Sequence, residues 1–247
     1  MQKREIPVIG EISLAIFKDR PNRFLVNLKP LNSEKIETAF LHDPGRMKEL
    51  LTPDVKLLVR KPLSQKNRKT KWDILAVEHE NSWVVINSSI PNLVVKTALK
   101  NRWIPELLYF TEIKPEISIG RSRLDFLLTR DKEVCFVEVK GVTLVENNRA
   151  LFPDAPTTRG TRHLQELIEL KEKGKRAIIL FICMRSNPTI FSPNWLTDPI
   201  FSEKLKQAFD KGVEILVYKV IPQIVDNQLK LFFQNRINID INEGLKI

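Results

Sequence analysis

Two apolar runs, LDFLLTR at 124–130 and EVCFVEVK at 133–140, stand on either side of Asp131-Lys132. They constrain the fold more than any other stretch. Each is apolar on both alternating faces, as strands are when both sides of a sheet are covered. The two-residue break between them predicts a hairpin. Counting back from its tip, Arg130 faces Glu133, Thr129 faces Val134 and Asp125 faces Glu138. Directly opposed residues have Cβ atoms about 5 Å apart, so both carboxylates reach one ion. Lys140 lies two residues beyond Glu138 and shares its face. A slip of one residue would undo the arrangement, so it depends on this register.

Two carboxylates this close, in such apolar surroundings, repel and lose hydration. Either one takes up a proton or a cation binds. A hard cation such as Mg²⁺ accepts oxygen ligands and keeps several waters, which suits a site at a strand end. The spacing alone leaves a second reading open, a Glu138–Lys140 pair with Asp125 at the solvent edge of the sheet.

Ahead of this hairpin, residues 8–88 read as six short strands, at 8–18, 22–30, 34–41, 54–61, 70–79 and 81–87. Several alternate apolar and polar residues, as half-buried antiparallel strands do. One short helix is predicted in HDPGRMKELL at 42–51, between the third and fourth, with Asp43 as cap and Pro44 in its first turn. Such a barrel with one helix is the layout of an OB-fold, whose face commonly binds nucleic acid. Past residue 88 the pattern changes. NLVVKTALKNRWIPELL has helical spacing, with Asn92 as its cap and Pro105 as its break. Strands follow at 111–119, 123–129 and 133–140, then a helix at 159–173 stopped by Gly174. After these come an apolar strand at 176–183, a helix near 200–210 and strands at 213–219 and 228–233. The order implies a mixed sheet flanked by helices. The expected domains are therefore 1–88, an OB-like barrel, and 89–247, a mixed-sheet α/β domain.

Composition narrows the partners. The formal net charge is +10, which favours a polyanion, and nucleic acid is the usual one. The densest cluster, RKPLSQKNRKTK at 60–71, holds six basic residues and no acid. It is either a solvated loop or a phosphate-contacting one, each Lys or Arg then adding sequence-independent, salt-dependent affinity. Cys135 and Cys183 both sit in apolar strand-like runs and read as buried free thiols, with no zinc-type spacing. No uncharged apolar run approaches the roughly 18–20 residues that span a bilayer. The chain is expected to be cytoplasmic and away from membranes. No Walker loop, GxGxxG, GxSxG or HExxH occurs.

Asp125 with EVK thirteen residues later, between two helices, resembles the PD-(D/E)XK nuclease-like core. HDPGRMKELL, IPELL, RSRLDFLL, VEVKGVTL, FPDAPTTRGTRHLQELI and GVEILVYK together resemble the sugar fermentation stimulation protein A (SfsA) family, along nearly the whole chain. The resemblance implies an N-terminal OB-like domain, a PD-(D/E)XK nuclease-like C-terminal domain and non-specific DNA binding, with a regulatory link to sugar metabolism. By position, it makes Asp125 and Glu138 ligands of Mg²⁺ or Mn²⁺, helped by the backbone carbonyl of Val139. It makes Lys140 the group that orients or deprotonates water, and Glu106 the further acid, with Glu116 competing for that role.

Arg159, His163 and Glu166 share one edge of their helix. Arg159 suits a phosphate oxygen, and His163 a phosphate or a proton. Asp154 joins the metal site or fixes its loop. Arg46, Arg68, Lys69 and Lys71 are the expected DNA contacts in the barrel. Trp72 and Trp83 either stack on bases or fill the core. Two functions of different class follow. One is a metal-dependent phosphodiesterase acting on DNA, largely without regard to sequence. The other is a non-catalytic DNA-binding regulatory protein linked to sugar metabolism. RNA as substrate and a homo-oligomeric state both stay open.

Overall fold

The computed structural model of the protein describes residues 3–64, 68–119 and 122–242. The chain divides into two compact units, one of residues 1–90, 184–186 and 220–233, the other of 91–183, 187–219 and 234–247. This differs from the expected cut at 88/89 in that 184–186 and 220–233 belong with the first unit.

The first unit contains β1 (Glu5–Pro7), β2 (Ile12–Asp19), β3 (Leu25–Pro30), β4 (Glu37–Phe40), β5 (Lys56–Arg60), β6 (Trp72–His79) and β7 (Ser82–Val85). The strand order is β4-β3-β2-β5-β6-β7, and β4 also pairs with β6. That extra pairing closes a five-stranded barrel, with β7 folded back on β6 as a hairpin. Alternation explains it: β3 buries every second residue, and Val26, Leu28, Leu57, Val59 and Ile74 meet inside. This is the OB domain that the sequence pattern predicts.

The helix expected at 42–51 is absent; the segment forms bends and turns. The cause lies at Arg20, whose Nη1 donates to the carbonyls of Gly45 and Arg46 at 2.8 and 2.9 Å and whose Nη2 reaches that of Asp43 at 3.3 Å. Those carbonyls would otherwise begin the helical ladder. Met47 adopts φ 47°, which also breaks it, yet its side chain joins Leu50 in the core.

The second unit begins with α1 (Ile90–Lys100), followed by β8 (Glu112–Ile119), β9 (Ser122–Arg130), β10 (Glu133–Val142), β11 (Val145–Glu146), β12 (Arg149–Phe152), α2 (Thr158–Glu172) and β13 (Arg176–Cys183). Then come β14 (Ile190–Pro193), α3 (Pro199–Asp210), β15 (Glu214–Val225), β16 (Gln228–Arg236) and β17 (Asn238–Ile239). Its main sheet runs β15-β13-β10-β9-β8. The pairs β15–β13 and β13–β10 are parallel, while β10–β9 and β9–β8 are antiparallel. A small sheet of β11-β12-β14-β17 completes the unit. Thr157 caps α2 through Gly160 N–H, and Gly174, at φ 74°, ends the helix turn. Leu164, Leu167 and Ile168 of α2, with Phe201 and Leu205 of α3, join Ile179, Phe181 and Val217 of the sheet in one buried cluster. Residues 220–225 of β15 and 228–233 of β16 belong with the first unit, where β16 pairs with β1. Among the described residues no helix is long and apolar enough to cross a membrane.

Candidate functional site

The predicted register holds between β9 and β10, from Arg130↔Glu133 to Phe126↔Val137. The ladder stops one step short of Asp125. On the other side of β9 the register passes from Pro115↔Phe126 to Ile117↔Leu124, so Asp125 is skipped again, where Glu116 turns to φ 57°. With no ladder partner on either side, Asp125 uses its side chain. Oδ2 accepts from the Val139 N–H at 2.8 Å, and Oδ1 accepts from Asn92 Nδ2 of α1 at 2.7 Å.

Glu138 is 2% exposed. Its Oε1 accepts from Lys140 Nζ at 2.5 Å and from Nδ1 of His163, while its Oε2 is buried without a partner. His163 is itself buried, and its Nε2 lies 3.4 Å from Arg159 Nε. Lys140 Nζ stands 3.4 Å from His163 Nδ1. Two strands and two helices thus bring Asp125, Glu138, Lys140, His163, Arg159 and Asn92 together.

The electrostatics of the two carboxylates differ. Burial, and then the charge of Glu138, push the Asp125 carboxyl above its ordinary range, against the pull of Val139 N–H and Asn92. Burial pushes Glu138 up as well, but the His163 bond and the Lys140 charge prevail and hold it below that range. Among the described residues no three His, Cys, Asp or Glu side chains gather to hold a metal ion. Any ion here relies on two carboxylates and on waters, backbone or substrate. That is how Mg²⁺ sites commonly work. The orphaned Oε2 of Glu138 is a buried acceptor that such an ion would satisfy, so the residues fit the group.

Residues 89–224 match the sugar fermentation stimulation protein RE domain, and residues 19–86 match the SfsA N-terminal OB domain. The chain belongs to the sugar fermentation stimulation protein family. A relative from Methanosphaera stadtmanae, named a sugar fermentation stimulation protein homolog, is 38% identical over 97% of this chain and 100% of its own. One of the same name from Sulfolobus acidocaldarius is 42% identical over 87% of this chain and 84% of its own. Among solved structures, SfsA of Pyrococcus furiosus, described as in complex with Ca²⁺, superposes with a TM-score of 0.87. It is 30% identical and covers 97% of this chain and 100% of that one.

Against this family fold, the other expected site residues divide. Glu106 does not join the carboxylates. Its Oε2 accepts from Tyr218 Oη at 2.6 Å and its Oε1 from Arg236 Nη1 at 3.0 Å. Burial works to raise its pKa, yet these partners bring it below the usual carboxylate range. The helix also ends before the expected break at Pro105, because α1 stops at Lys100 and Glu106 lies in a short 3₁₀ turn, Pro105–Leu107. Glu116 is exposed and lies 3.5 Å from Arg123.

His163, expected to meet a phosphate or to move a proton, is buried against Glu138. Arg159 remains exposed at the start of α2. In the barrel, Arg68 is bonded to buried Asp73 and lies over the Phe40 ring at 5.4 Å. Lys71 pairs with Glu37 at 2.7 Å but keeps 65% of its side chain exposed. Lys69 and Arg46 are exposed. Residues 65–67 of the basic run lie outside the described residues, as does Arg121 of RSRLDFLL. Trp72 is core, its Nε1 donating to Glu37 at 2.6 Å and its ring under Lys61 at 3.5 Å.

Asn92 is the site residue that sequence reasoning misses. It stands inside α1, two residues past the start at Ile90 and not at the cap expected of it, and nothing local ties it to a strand 33 positions on. A signal does exist at Gly141. A Cβ there would lie 2.8 Å from Pro91 Cγ, so only glycine lets the start of α1 press against β10 beside Lys140.

Proposed function

We propose that this protein binds nucleic acid, DNA in the first place, with little regard to sequence, and hydrolyses its phosphodiester backbone with Mg²⁺ or Mn²⁺. The observation that carries the proposal is the convergence of Asp125 and Glu138, one with an orphaned buried oxygen, beside Lys140. Family membership adds weight, since the relative from Pyrococcus furiosus is described in complex with Ca²⁺, another hard divalent cation.

Asp125 and Glu138 would hold the ion. When bound, such an ion polarises a phosphoryl oxygen and lowers the pKa of its water. The chain supplies the rest. Val139 N–H and Asn92 fix the plane of the Asp125 carboxylate, and His163 does the same for Glu138. Lys140 carries a positive charge that offsets the negative charge growing on the phosphate and can hold the attacking water by donating a hydrogen bond to its oxygen. Arg159, exposed at the start of α2, suits a phosphate oxygen of the backbone. The net charge of +10, with Arg46, Lys69 and Lys71 exposed in the barrel, supports non-specific attraction to DNA.

The test is cleavage of labelled single-stranded, duplex and branched DNA and of RNA with Mg²⁺ or Mn²⁺, alongside a Lys140→Ala control purified identically. Metal-dependent cutting that the control loses is expected, and the preferred strand type names the substrate. Salt-sensitive binding without cutting would overturn the hydrolytic part of the proposal and leave a DNA-binding protein.

A further inference from the structure

We infer that the centre holds a single divalent cation whose Asp125 ligand Asn92 orients. The inference rests on the metal site proposed above. Two-ion centres keep their metals about 3.5–4 Å apart and bridge them with several acidic groups. Here Glu106 and Glu116, the further acids expected at the centre, are engaged away from it. Glu106 is bound by Tyr218 and Arg236, Glu116 is exposed beside Arg123, and among the described residues no three His, Cys, Asp or Glu side chains gather to hold an ion. What α1 brings to Asp125 is an amide.

Charge leads to the same result. Asp125 and Glu138 are negative and Lys140 is positive. With one divalent ion these three groups keep a single positive charge, to which exposed Arg159 adds one toward the incoming phosphodiester. Two ions would leave three positive charges around side chains that are 3% and 15% exposed at Glu138 and Lys140. Burying that excess is strongly disfavoured.

The amide has a positional task. Nδ2 of Asn92 and N–H of Val139 each take one oxygen of Asp125, at 2.7 and 2.8 Å, and each oxygen retains a lone pair. The carboxylate plane is thereby set before an ion arrives. Pro91 sits against Gly141, so the donor is carried on a helix start pressed against the strand of Glu138 and Lys140.

The experiment is Mn²⁺ binding to the metal-stripped full chain, followed by calorimetry and by loss of the free-ion electron spin resonance signal. The wild type is expected to bind one ion, and Asp125→Asn to lose it. Asn92→Ala is expected to bind one ion about 10- to 100-fold more weakly. Asn92→Asp places a third carboxylate at the site, and a larger ion-induced rise in melting temperature than in the wild type is expected. It carries the test if Asn92→Ala does not fold. Two ions of similar affinity in the wild type, an Asn92→Ala affinity within twofold of wild type, or an equal melting shift in Asn92→Asp would overturn the inference. No Mn²⁺ binding to the wild type, or binding that Asp125→Asn keeps, would overturn the metal site itself.

Discussion

Replacing Asp73 by Asn removes a buried negative charge that Arg68, Arg60 and His42 surround in the barrel. Asp73 is 3% exposed in its side chain; it accepts from Arg68, lies 3.3 Å from His42 Nε2 and lies 3.9 Å from Arg60 Nε. Removing one partner from a fully buried ion pair costs about 3–5 kcal/mol. Arg68 and His42 are about a quarter exposed and can turn toward water, which lowers the cost. Arg60 has no such escape, with 11% of its side chain exposed and Nε unpartnered. The expected loss is therefore about 2–3 kcal/mol.

The same charge makes the loss depend on pH. Burial pushes the Asp73 carboxyl up, but His42 and Arg68 prevail and hold it below the ordinary carboxylate range. A lowered folded pKa contributes stability that is complete above the unfolded value, about 3.9, and disappears as pH falls through the folded one. Urea unfolding at a series of pH values, followed by tryptophan emission with Trp72 in this core, measures both effects. The wild type and Asp73→Asn are expected to differ fully at neutral pH and to converge below about pH 4. A gap under about 0.5 kcal/mol, or one that stays constant into acid, would refute the assignment.

Lys69→Ala is expected to reduce the salt slope of DNA affinity by about 1, as loss of one phosphate contact does, while Arg68→Ala leaves the slope and weakens the barrel instead. Titrations across salt concentrations distinguish the two, and equal slopes for both variants would remove this difference. Gly141→Ala puts a methyl 2.8 Å from Pro91 Cγ. It is expected to cost about 1–3 kcal/mol and to weaken Mn²⁺ binding by displacing Asn92; a variant normal in melting and in Mn²⁺ titration would show the contact to be yielding. Burial pushes the thiols of Cys135 and Cys183 up to about 12. At pH 8 a disulfide reagent is expected to leave both untouched in the folded chain and to modify both in urea, and rapid modification of the folded chain would contradict that environment.

What was legible in the sequence was local and periodic. The β9–β10 register follows from a two-residue turn between two apolar runs, and the strands β2 to β7 follow from the alternation that several of them show. What escaped depends on distant partners. Arg20 takes the carbonyls of a segment more than twenty positions away, so helix signals at Asp43 and Pro44 lose to a side chain that no local pattern connects to them. The strands β11, β12, β14 and β17 have two to four residues each, too short for a period to register. At the site, the carboxylates and the lysine stood out because charge in an apolar run is conspicuous. Asn92 did not, since an amide near a helix start has an ordinary explanation until the strand beside it is known, and His163 was picked out from its helix edge without its partner Glu138.

The pairing of β1 with β16 has a consequence for how the chain is made. Ile6 faces Leu231, Val8 N–H donates to the Leu229 carbonyl at 2.9 Å, and all four side chains are buried. A chain leaving the ribosome at about 5–20 residues per second holds its first strand without a mate for most of synthesis. The second unit's sheet from β8 through β13 is therefore synthesised while the first unit still has an apolar edge open to water. That is an interval in which a chaperone, or a neighbouring nascent chain, competes with residues 228–233 for the same strand.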